Sequence, residues 1–218
     1  MKIRWFGQSS FLLSGEHAVF VDPFGDMSPL TARGTTWTYP PIEGVEADLV
    51  LVTHDHLDHN AVHVIGGDPQ VVAKPGTHET PVGEVVGIAS EHDRVAGTQR
   101  GPNTIFRFAL DGVRFAHFGD FGQRALRPEQ RDALGELDVV LFPVGGGPTI
   151  PADDAAALVR ELAPRLVVPM HYRTRHVGFL EPPEPFFEAL GWPVEEVAGT
   201  EADLVLPQQQ AVLKLTFT

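Results

Sequence analysis

The sequence predicts an α/β fold in which two packed β-sheets are covered by helices. Strand-like runs fill the first half of the chain, and strand-like runs alternate with helix-like segments in the second half. The 22 glycines and 19 prolines recur between the apolar runs, as turn residues do where a chain makes many tight connections. A length of 218 residues and a hydrophobic content of 43% suit a single domain spanning residues 1–218.

The first half is predicted to begin with an antiparallel meander, because its apolar runs are short and separated by turn residues. These runs lie at residues 2–6, 10–13 and 18–21. A long segment rich in Pro, Gly and Thr follows at residues 22–46, and loops of this length are often functional or mobile. Its aromatic side chains, Phe24, Trp37 and Tyr39, either pack it against the domain or belong to a lid over a site.

The later elements follow from their own local signals. Further strands are predicted at residues 48–53, 85–89, 104–110, 113–118, 139–142, 166–168, 204–206 and 211–217. Asp111-Gly112 is a strong hairpin-turn signal between two of them. Helices are predicted at residues 128–137, 152–162 and 183–190. The second helix follows Pro151 and carries Asp153 and Asp154 in its first turn, where negative charge is favoured.

Composition narrows the classes of function. A net charge of −13 argues against a broad nucleic-acid-binding surface, which needs a basic face to displace counterions. The absence of cysteine excludes a thiolate metal site, a cysteine nucleophile and disulfides. No apolar stretch has the length of a signal peptide core or of a membrane-spanning helix, so no membrane association is expected. The expectation is a cytoplasmic protein; its oligomeric state is left open.

One short segment contains a cluster of residues typical of a metal site. His54-Asp55-His56-Leu57-Asp58-His59 follows the apolar run 49–52, so its polar side chains are presented to a cleft at the end of a strand. Imidazole and carboxylate groups together suit borderline divalent ions such as zinc, with iron and manganese as alternatives. The competing interpretation is a solvated, histidine-rich turn.

Three more His or Asp residues follow predicted strands elsewhere in the chain. They are His92, Asp120 and His171. Each alone is typical of a surface loop, but their repeated placement at strand ends favours one shared metal site.

These motifs together resemble the metallo-β-lactamase-fold hydrolases. The resemblance rests on residues 53–59, His92, Gly119-Asp120 and His171. Further segments are similar to the branch that contains ascorbate-6-phosphate lactonase-like proteins, namely 5–11, Val21-Asp22-Pro23, 100–104 and 169–172. The resemblance implies a four-layer αββα sandwich with the site at one edge of two sheets.

The resemblance also implies a centre of two divalent metal ions, zinc foremost, with manganese or iron as alternatives. His54, His56 and His92 would hold one ion, and the second would be held by Asp58, His59 and His171. Asp120 would bridge both. His117 is a competing candidate for the role of His92, although an orienting hydrogen bond to a ligand is the favoured role for it.

The implied reaction is attack by a hydroxide held between the metal ions, with Asp58 and Asp120 as the catalytic carboxylates. The leading hypothesis is hydrolysis of an ester-type bond, in a lactone or phosphoester, of a small molecule. Tyr172, Arg173 and Arg175 follow His171 and either bind an anionic group of that substrate or form an ordinary solvated loop. The alternatives are a phosphodiesterase or nuclease, and a metal-dependent binding or sensor protein without turnover.

Overall fold

The computed structural model describes residues 1–217, which form two β-sheets with helices packed on them. The strands are β1 (Lys2–Gly7), β2 (Ser10–Ser14), β3 (Ala18–Val21), β4 (Leu49–Leu51), β5 (Gln70–Val72), β6 (Gly76–Thr80), β7 (Gly83–Glu91), β8 (Pro102–Leu110), β9 (Val113–His117), β10 (Val139–Pro143), β11 (Leu166–Met170), β12 (Val194–Ala198), β13 (Glu201–Asp203) and β14 (Ala211–Thr216). The helices are α1 (Ser28–Thr31), α2 (Pro128–Leu134), α3 (Ala152–Leu162) and α4 (Glu184–Leu190), and a 3-10 turn lies at Val62–Val64.

The first sheet has six strands in the order β13-β1-β2-β3-β4-β5 and separates two apolar clusters. Successive side chains of a strand point to opposite faces. In β3, Val19 and Val21 accordingly pack into the main core between the sheets, while Phe20 packs into a second cluster on the outer face. That outer cluster is completed by aromatic residues of the segment after β3, so this face of the sheet is covered by an irregular chain and the short α1.

The second sheet has eight strands in the order β12-β14-β11-β10-β9-β8-β7-β6. Every residue of β10 and of β11 is buried, as expected for parallel strands covered on both faces. One face packs on the first sheet, and residues of α3 such as Ala155 and Val159 belong to the same apolar cluster on the other side. Helix α3 connects the parallel strands β10 and β11, which confirms the predicted βαβ unit.

Strand direction brings several polar segments to one edge of the sandwich. In the first sheet β3 and β4 are parallel, so Asp22 and His54 follow neighbouring strand ends. In the second sheet β9, β10 and β11 are parallel, and β7 runs in the same direction because it is antiparallel to β8, which is antiparallel to β9. The residues that follow β7, β9 and β11 therefore meet at the same edge.

The structure corrects several predicted boundaries. The predicted strand at residues 204–206 is wrong. Strand β13 ends at Asp203, which pairs with Lys2, and its partner β1 begins at that residue. Helix α2 ends at Leu134 rather than residue 137, because Gly135 has φ of 57°. Four strands, β5, β6, β12 and β13, were not predicted. Within residues 1–217, no helix is long and apolar enough to cross a membrane.

An ion pair at the start of β10 gives a prediction about acid stability. Asp138 accepts hydrogen bonds from Arg114 Nε (2.8 Å), Arg114 Nη2 (3.0 Å) and the Arg114 backbone N–H (2.9 Å). These bonds hold the pKa of Asp138 below its ordinary 3.8. A lowered folded-state pKa means that the stabilisation is complete above the unfolded value and disappears as pH falls through the folded value.

We therefore expect Asp138→Asn to lower the free energy of unfolding at pH 7 by about 1 kcal/mol, because solvent screens the partly exposed Arg114. Urea unfolding of wild type and variant at pH 7 and below pH 3 measures this difference, which should vanish at the acid end. Glu136→Gln is the control, since the Glu136 side chain bonds the same arginine but is 88% exposed. An equal loss at both pH values would contradict the ionic origin of the effect.

Candidate metal centre

The loop after β4 brings two of its histidines close to His92, which follows β7. His54 and His56 lie with Nε2 and Nδ1 3.0 Å apart. Together with His92, they form a group whose ligand atoms lie within 4.8 Å of one another. A second such group combines His54, His59 and Asp120. Segments that are distant in sequence thus converge at the strand ends, as the sequence pattern predicts.

Asp120 lies at the middle of the cluster. Its Oδ2 lies 3.1 Å from Nε2 of both His92 and His171, 3.5 Å from Nε2 of His59 and 4.0 Å from Nε2 of His54. The side chain is almost fully buried. One carboxylate oxygen therefore faces four imidazole nitrogens, which is the arrangement that a ligand shared between neighbouring cations requires.

Asp58 completes the set from the side of His59. Its Oδ2 lies 3.5 Å from His59 Nε2, so His59 stands between the carboxylates of Asp58 and Asp120. The structure thus brings all seven residues predicted as ligands into one connected cluster. Asp55, which the sequence interpretation leaves outside the set, is exposed and accepts a hydrogen bond from Asn60 Nδ2 at 2.6 Å.

Hydrogen bonds at Nδ1 assign the tautomers of three histidines. A carboxylate or carbonyl can only accept, so His59 Nδ1 donates to Asp22 Oδ2 (2.9 Å) and His92 Nδ1 donates to the Pro148 carbonyl (3.1 Å). Thr53 Oγ1 donates to Asp22 Oδ2 (2.7 Å) and thereby accepts from His54 Nδ1 (3.0 Å). Nε2 is therefore the nitrogen that His59 and His92 present to Asp120, whereas His54 Nε2 lies between His56 Nδ1 (3.0 Å) and Asp120 (4.0 Å).

The electrostatics of the cluster favour a bound cation. Burial lowers the pKa of His59, but Asp120, Asp58 and Asp22 outweigh burial and raise it well above its ordinary value. Burial raises the pKa of Asp120, but His171 and His59 outweigh it and keep that carboxyl ionised. Burial, followed by the charge of His59, lowers the pKa of His54 and keeps its ring neutral. The carboxylates therefore create a negative potential that favours positive charge at His59 Nε2, where a bound cation would take the place of a proton.

One of two orphaned histidine nitrogens supports the fit of the donor set to a metal ion. His59 Nε2 and His171 Nδ1 are buried without a hydrogen-bond partner among residues 1–217. Buried polar atoms are normally satisfied, and a bound cation would satisfy His59 Nε2 between its two carboxylates. Imidazole nitrogens with carboxylate oxygens match the ligand preference of zinc and of other first-row divalent ions. The residues present fit divalent metal ions.

Asp22 is a functional residue whose role the sequence interpretation missed. It is fully buried, and its two oxygens accept hydrogen bonds from the Thr53 backbone N–H (2.7 Å), from Thr53 Oγ1 and from His59 Nδ1. It therefore orients His59 directly and His54 through Thr53. An acidic residue at the end of the buried strand β3 is the same sequence signal as Asp120 at the end of β9, and it lies within the Val21-Asp22-Pro23 segment.

Further hydrogen bonds hold the side chain and the backbone of Asp120 in place. Ser9 Oγ donates to Asp120 Oδ1 (3.1 Å), and the Asp120 backbone N–H donates to Asn103 Oδ1 (3.0 Å). Gly119 has φ of 55°, and a Cβ there would lie 2.7 Å from Thr53 Oγ1. A side chain at this position would displace Thr53, whose hydroxyl binds His54. Glycine at position 119 therefore allows the segment that carries Asp120 to pack against the segment that carries His54.

Both ring nitrogens of His117 form hydrogen bonds with backbone groups. Its Nε2 donates to the Ser9 carbonyl (2.9 Å), and its Nδ1 accepts from the Gly119 N–H (3.2 Å). Burial lowers the pKa of His117, in agreement with this neutral form. The geometry favours a positioning role for His117 and leaves His92 facing Asp120.

Replacing His117 with leucine is expected to destabilise the fold without changing the metal content. The Ser9 carbonyl and Gly119 N–H would lose their buried partner, at a cost of about 1–3 kcal/mol each. Urea unfolding measures the loss, and elemental analysis measures the metal content. Loss of one metal ion per chain at unchanged stability would instead make His117 a ligand.

The residues after His171 do not present their polar groups together. The Tyr172 hydroxyl is buried and donates to the Leu215 carbonyl (3.2 Å), and the Tyr172 ring packs 5.3 Å from that of Trp5. Arg173 Nε donates to the Leu180 carbonyl (2.7 Å). These contacts favour a structural role for Tyr172 over the substrate contact considered from sequence.

The segment after β3 is fastened to the domain by its aromatic residues. Phe24, Trp37 and Tyr39 are buried in the outer cluster. The Tyr39 hydroxyl lies 2.8 Å from Thr174 Oγ1, which ties the segment to the loop that follows His171. Of the two interpretations of these aromatics, the contacts favour packing; closure as a lid stays a prediction.

Comparison with known proteins adds to this geometry. A family model described as a beta-lactamase superfamily domain matches residues 2–171, a range that contains all seven candidate ligands. A UPF0173 metal-dependent hydrolase of Thermococcus kodakarensis is 30% identical, with 99% of this chain and 100% of that protein covered. A UPF0173 metal-dependent hydrolase of Pelotomaculum thermopropionicum is 29% identical, with 98% and 100% covered.

A solved structure supports the same similarity. A protein of Thermotoga maritima, assigned to the Zn-dependent hydrolases of the metallo-β-lactamase superfamily, superposes with a TM-score of 0.78 at 30% identity. The superposition covers 99% of each chain. It confirms the predicted metallo-β-lactamase-like fold class. The names of these three proteins state a dependence on metal and do not state a substrate.

Proposed function

The chain belongs to the beta-lactamase superfamily, among its UPF0173 metal-dependent hydrolases, and on this basis we propose that it cleaves an ester-type bond of a small molecule at a centre of two divalent ions. His54, His56 and His92 would hold one ion, and Asp58, His59 and His171 the other. Asp120 would be shared by both. Zinc is the ion that we expect first, with manganese or iron as alternatives.

The observation that carries this proposal is the position of Asp120 Oδ2 among four imidazole Nε2 atoms, at 3.1 to 4.0 Å. A single cation needs only three or four protein ligands, whereas this cluster contains seven candidate ligands, Asp120 and six others, four of which lie around Asp120 Oδ2. The surplus supports a centre of two ions. The orphaned Nε2 of His59 supports placing one of them on the side of Asp58.

Bound divalent ions would supply a hydroxide nucleophile near neutral pH and would polarise the bond to be cleaved. The protein's residues hold this chemistry in place. Asp22 holds a proton at Nδ1 of His59, and the Pro148 carbonyl does the same for His92, so Nε2 is the nitrogen of each ring that would bind a metal ion. Asp58 and Asp120 remain ionised and bring negative charge to the site, where they would help to orient the nucleophile.

The ester-type substrate, a lactone or a phosphoester, is inferred from the chemistry of the donor set and from the resemblance to lactonase-like proteins. The net charge of −13 supports a small molecule over a nucleic acid as the substrate. A phosphodiesterase or nuclease and a metal-holding sensor without turnover are the alternatives to be tested.

Elemental analysis of the purified protein should find close to two metal ions per chain. Turnover should then be assayed on lactones, phosphodiesters and oligonucleotides with zinc and with manganese added in turn. Hydrolysis of a lactone or small phosphoester, without cleavage of oligonucleotides, is the expected result. A folded protein that binds no metal would overturn the proposal. Bound metal without turnover on the whole panel would leave the sensor alternative in its place.

A further inference from the structure

A cavity of about 360 Å³ lies beside the candidate metal centre. Its lining residues are close neighbours of the ligands along the chain and in space. Asp93 follows His92, and the Pro148 carbonyl holds His92 Nδ1. Gly122 is two residues beyond Asp120, and a Cβ on it would lie 2.5 Å from the His92 carbonyl carbon. A substrate whose reacting bond lies at the metal centre can therefore place its remaining atoms in this cavity.

Most charged groups of the lining are already compensated. The Asp93 carboxylate accepts four backbone N–H groups of its own loop, from Val95, Gly97, Gln99 and Arg100, at 2.8 to 2.9 Å. Although desolvation opposes them, these bonds lower the pKa of Asp93 to about 2. Arg94 Nη2 donates to Asp154 at 2.8 Å. Neither group has its charge free for a ligand.

Arg100 differs from these residues. Its side chain is exposed, lines the cavity, and makes no hydrogen bond or ion pair with any other of residues 1–217. The loop that carries it is held rigidly, because the Arg100 backbone N–H is one of the four that bind Asp93. The cavity therefore contains an exposed guanidinium without a partner among residues 1–217, beside the candidate metal centre.

The opposite wall carries one carboxylate. Glu181 lines the cavity, and its Oε2 would lie 2.5 Å from a Cβ placed on Gly146. Gly146 and Gly147 both have positive φ, and their backbone N–H groups donate to no acceptor in the described part of the chain. The wall thus combines a negative side chain with available backbone donors.

We propose that this cavity binds an anionic group of the substrate, a carboxylate or a phosphate, and that Arg100 is the residue that recognises it. The inference rests on the proposed hydrolase function and adds a substrate class to it. Planar guanidinium groups bind both kinds of anion through paired hydrogen bonds. Glu181 opposes the anion electrostatically, so the two residues have opposite effects on its affinity.

Calorimetric titration of succinate and of inorganic phosphate into the metal-containing protein tests this assignment without requiring turnover. Arg100→Gln should weaken the binding of one or both anions about tenfold, the loss expected for a charge-assisted hydrogen bond at an exposed site. Glu181→Gln should strengthen it. The matched control is Arg107→Gln, which removes the same charge from β8, where Arg107 pairs with Glu84 at 3.8 Å.

Equal affinities in Arg100→Gln and Arg107→Gln would overturn the role of Arg100, as would wild-type protein that binds neither anion. A pair of substrates separates this outcome from failure of the proposed function. 4-Nitrophenyl acetate is a neutral ester, and mono-4-nitrophenyl succinate is an ester that carries a carboxylate. If neither ester is hydrolysed, hydrolysis of carboxylic esters is contradicted. If both are hydrolysed without a lower KM for the succinate ester, only the anion site is contradicted.

Discussion

Replacing Asp120 with asparagine should abolish hydrolysis while leaving the fold intact. The amide has the size of the carboxylate, but it carries no charge and presents N–H groups to the imidazoles that lie 3.1 to 4.0 Å from Oδ2. Loss of residues that only orient a ligand costs 10- to 100-fold in metal affinity or activity. We expect loss of the shared ligand to reduce kcat/KM by more than about 100-fold.

The measurements are turnover of the best substrate, metal content by elemental analysis, and urea unfolding to verify the fold. Asp55→Asn is the matched control, because it changes an aspartate of the same cluster that is exposed and bonds only Asn60 among the described residues. It should retain wild-type activity. Undiminished turnover in Asp120→Asn would rule out the bridging role.

Replacing Asp22 with asparagine should weaken metal binding about 10- to 100-fold, although Asp22 is not a ligand. Its Oδ2 accepts from both His59 Nδ1 and Thr53 Oγ1, and an amide nitrogen in that place would oppose two donors. The rings of His59 and His54 would then rotate or change tautomer, and their Nε2 lone pairs would no longer face the site. The dissociation constant for zinc, measured by competition with a chelator, tests this expectation.

Asp48→Asn is a suitable control for the Asp22 variant. Asp48 lies at the opposite end of the same pair of parallel strands and accepts a hydrogen bond from the Ala18 backbone N–H at 2.8 Å. The two variants therefore remove the same charge from the two ends of one strand pair. Equal zinc affinities in the two variants would show that Asp22 does not support the ligands.

The strands that sequence reasoning missed have a common position. β5, β6, β12 and β13 are the four edge strands of the two sheets. An edge strand is partly exposed and needs no regular apolar pattern; β12, for example, reads Val-Glu-Glu-Val-Ala and buries none of its residues fully. The central strands β4, β10 and β11 are buried on both faces and were found because their apolar runs are continuous.

The residues that orient the candidate ligands are not recognisable in the sequence, for a different reason. Ser9, Asp22 and Asn103 are ordinary polar residues in sequence, and their partners in the site lie 111, 37 and 17 positions away. Strand pairing within one sheet brings Asp22 to His59 and Asn103 to Asp120, and packing of the two sheets brings Ser9 to Asp120. The same holds for the guanidinium of Arg100. Its sequence context suggests a loop, and only the three-dimensional structure shows that it has no partner among residues 1–217.

The sequence alone determined the donor types and their placement, since His54, His56, Asp58 and His59 follow a buried strand and His92, Asp120 and His171 follow others. Such placement predicts convergence at one edge because strand direction governs where strand ends meet. The tertiary structure decided which nitrogen of His54, His59 and His92 faces the site. Hydrogen bonds select the tautomer, and those of His59 to Asp22 and of His92 to Pro148 form only when the fold brings strand ends distant in sequence together.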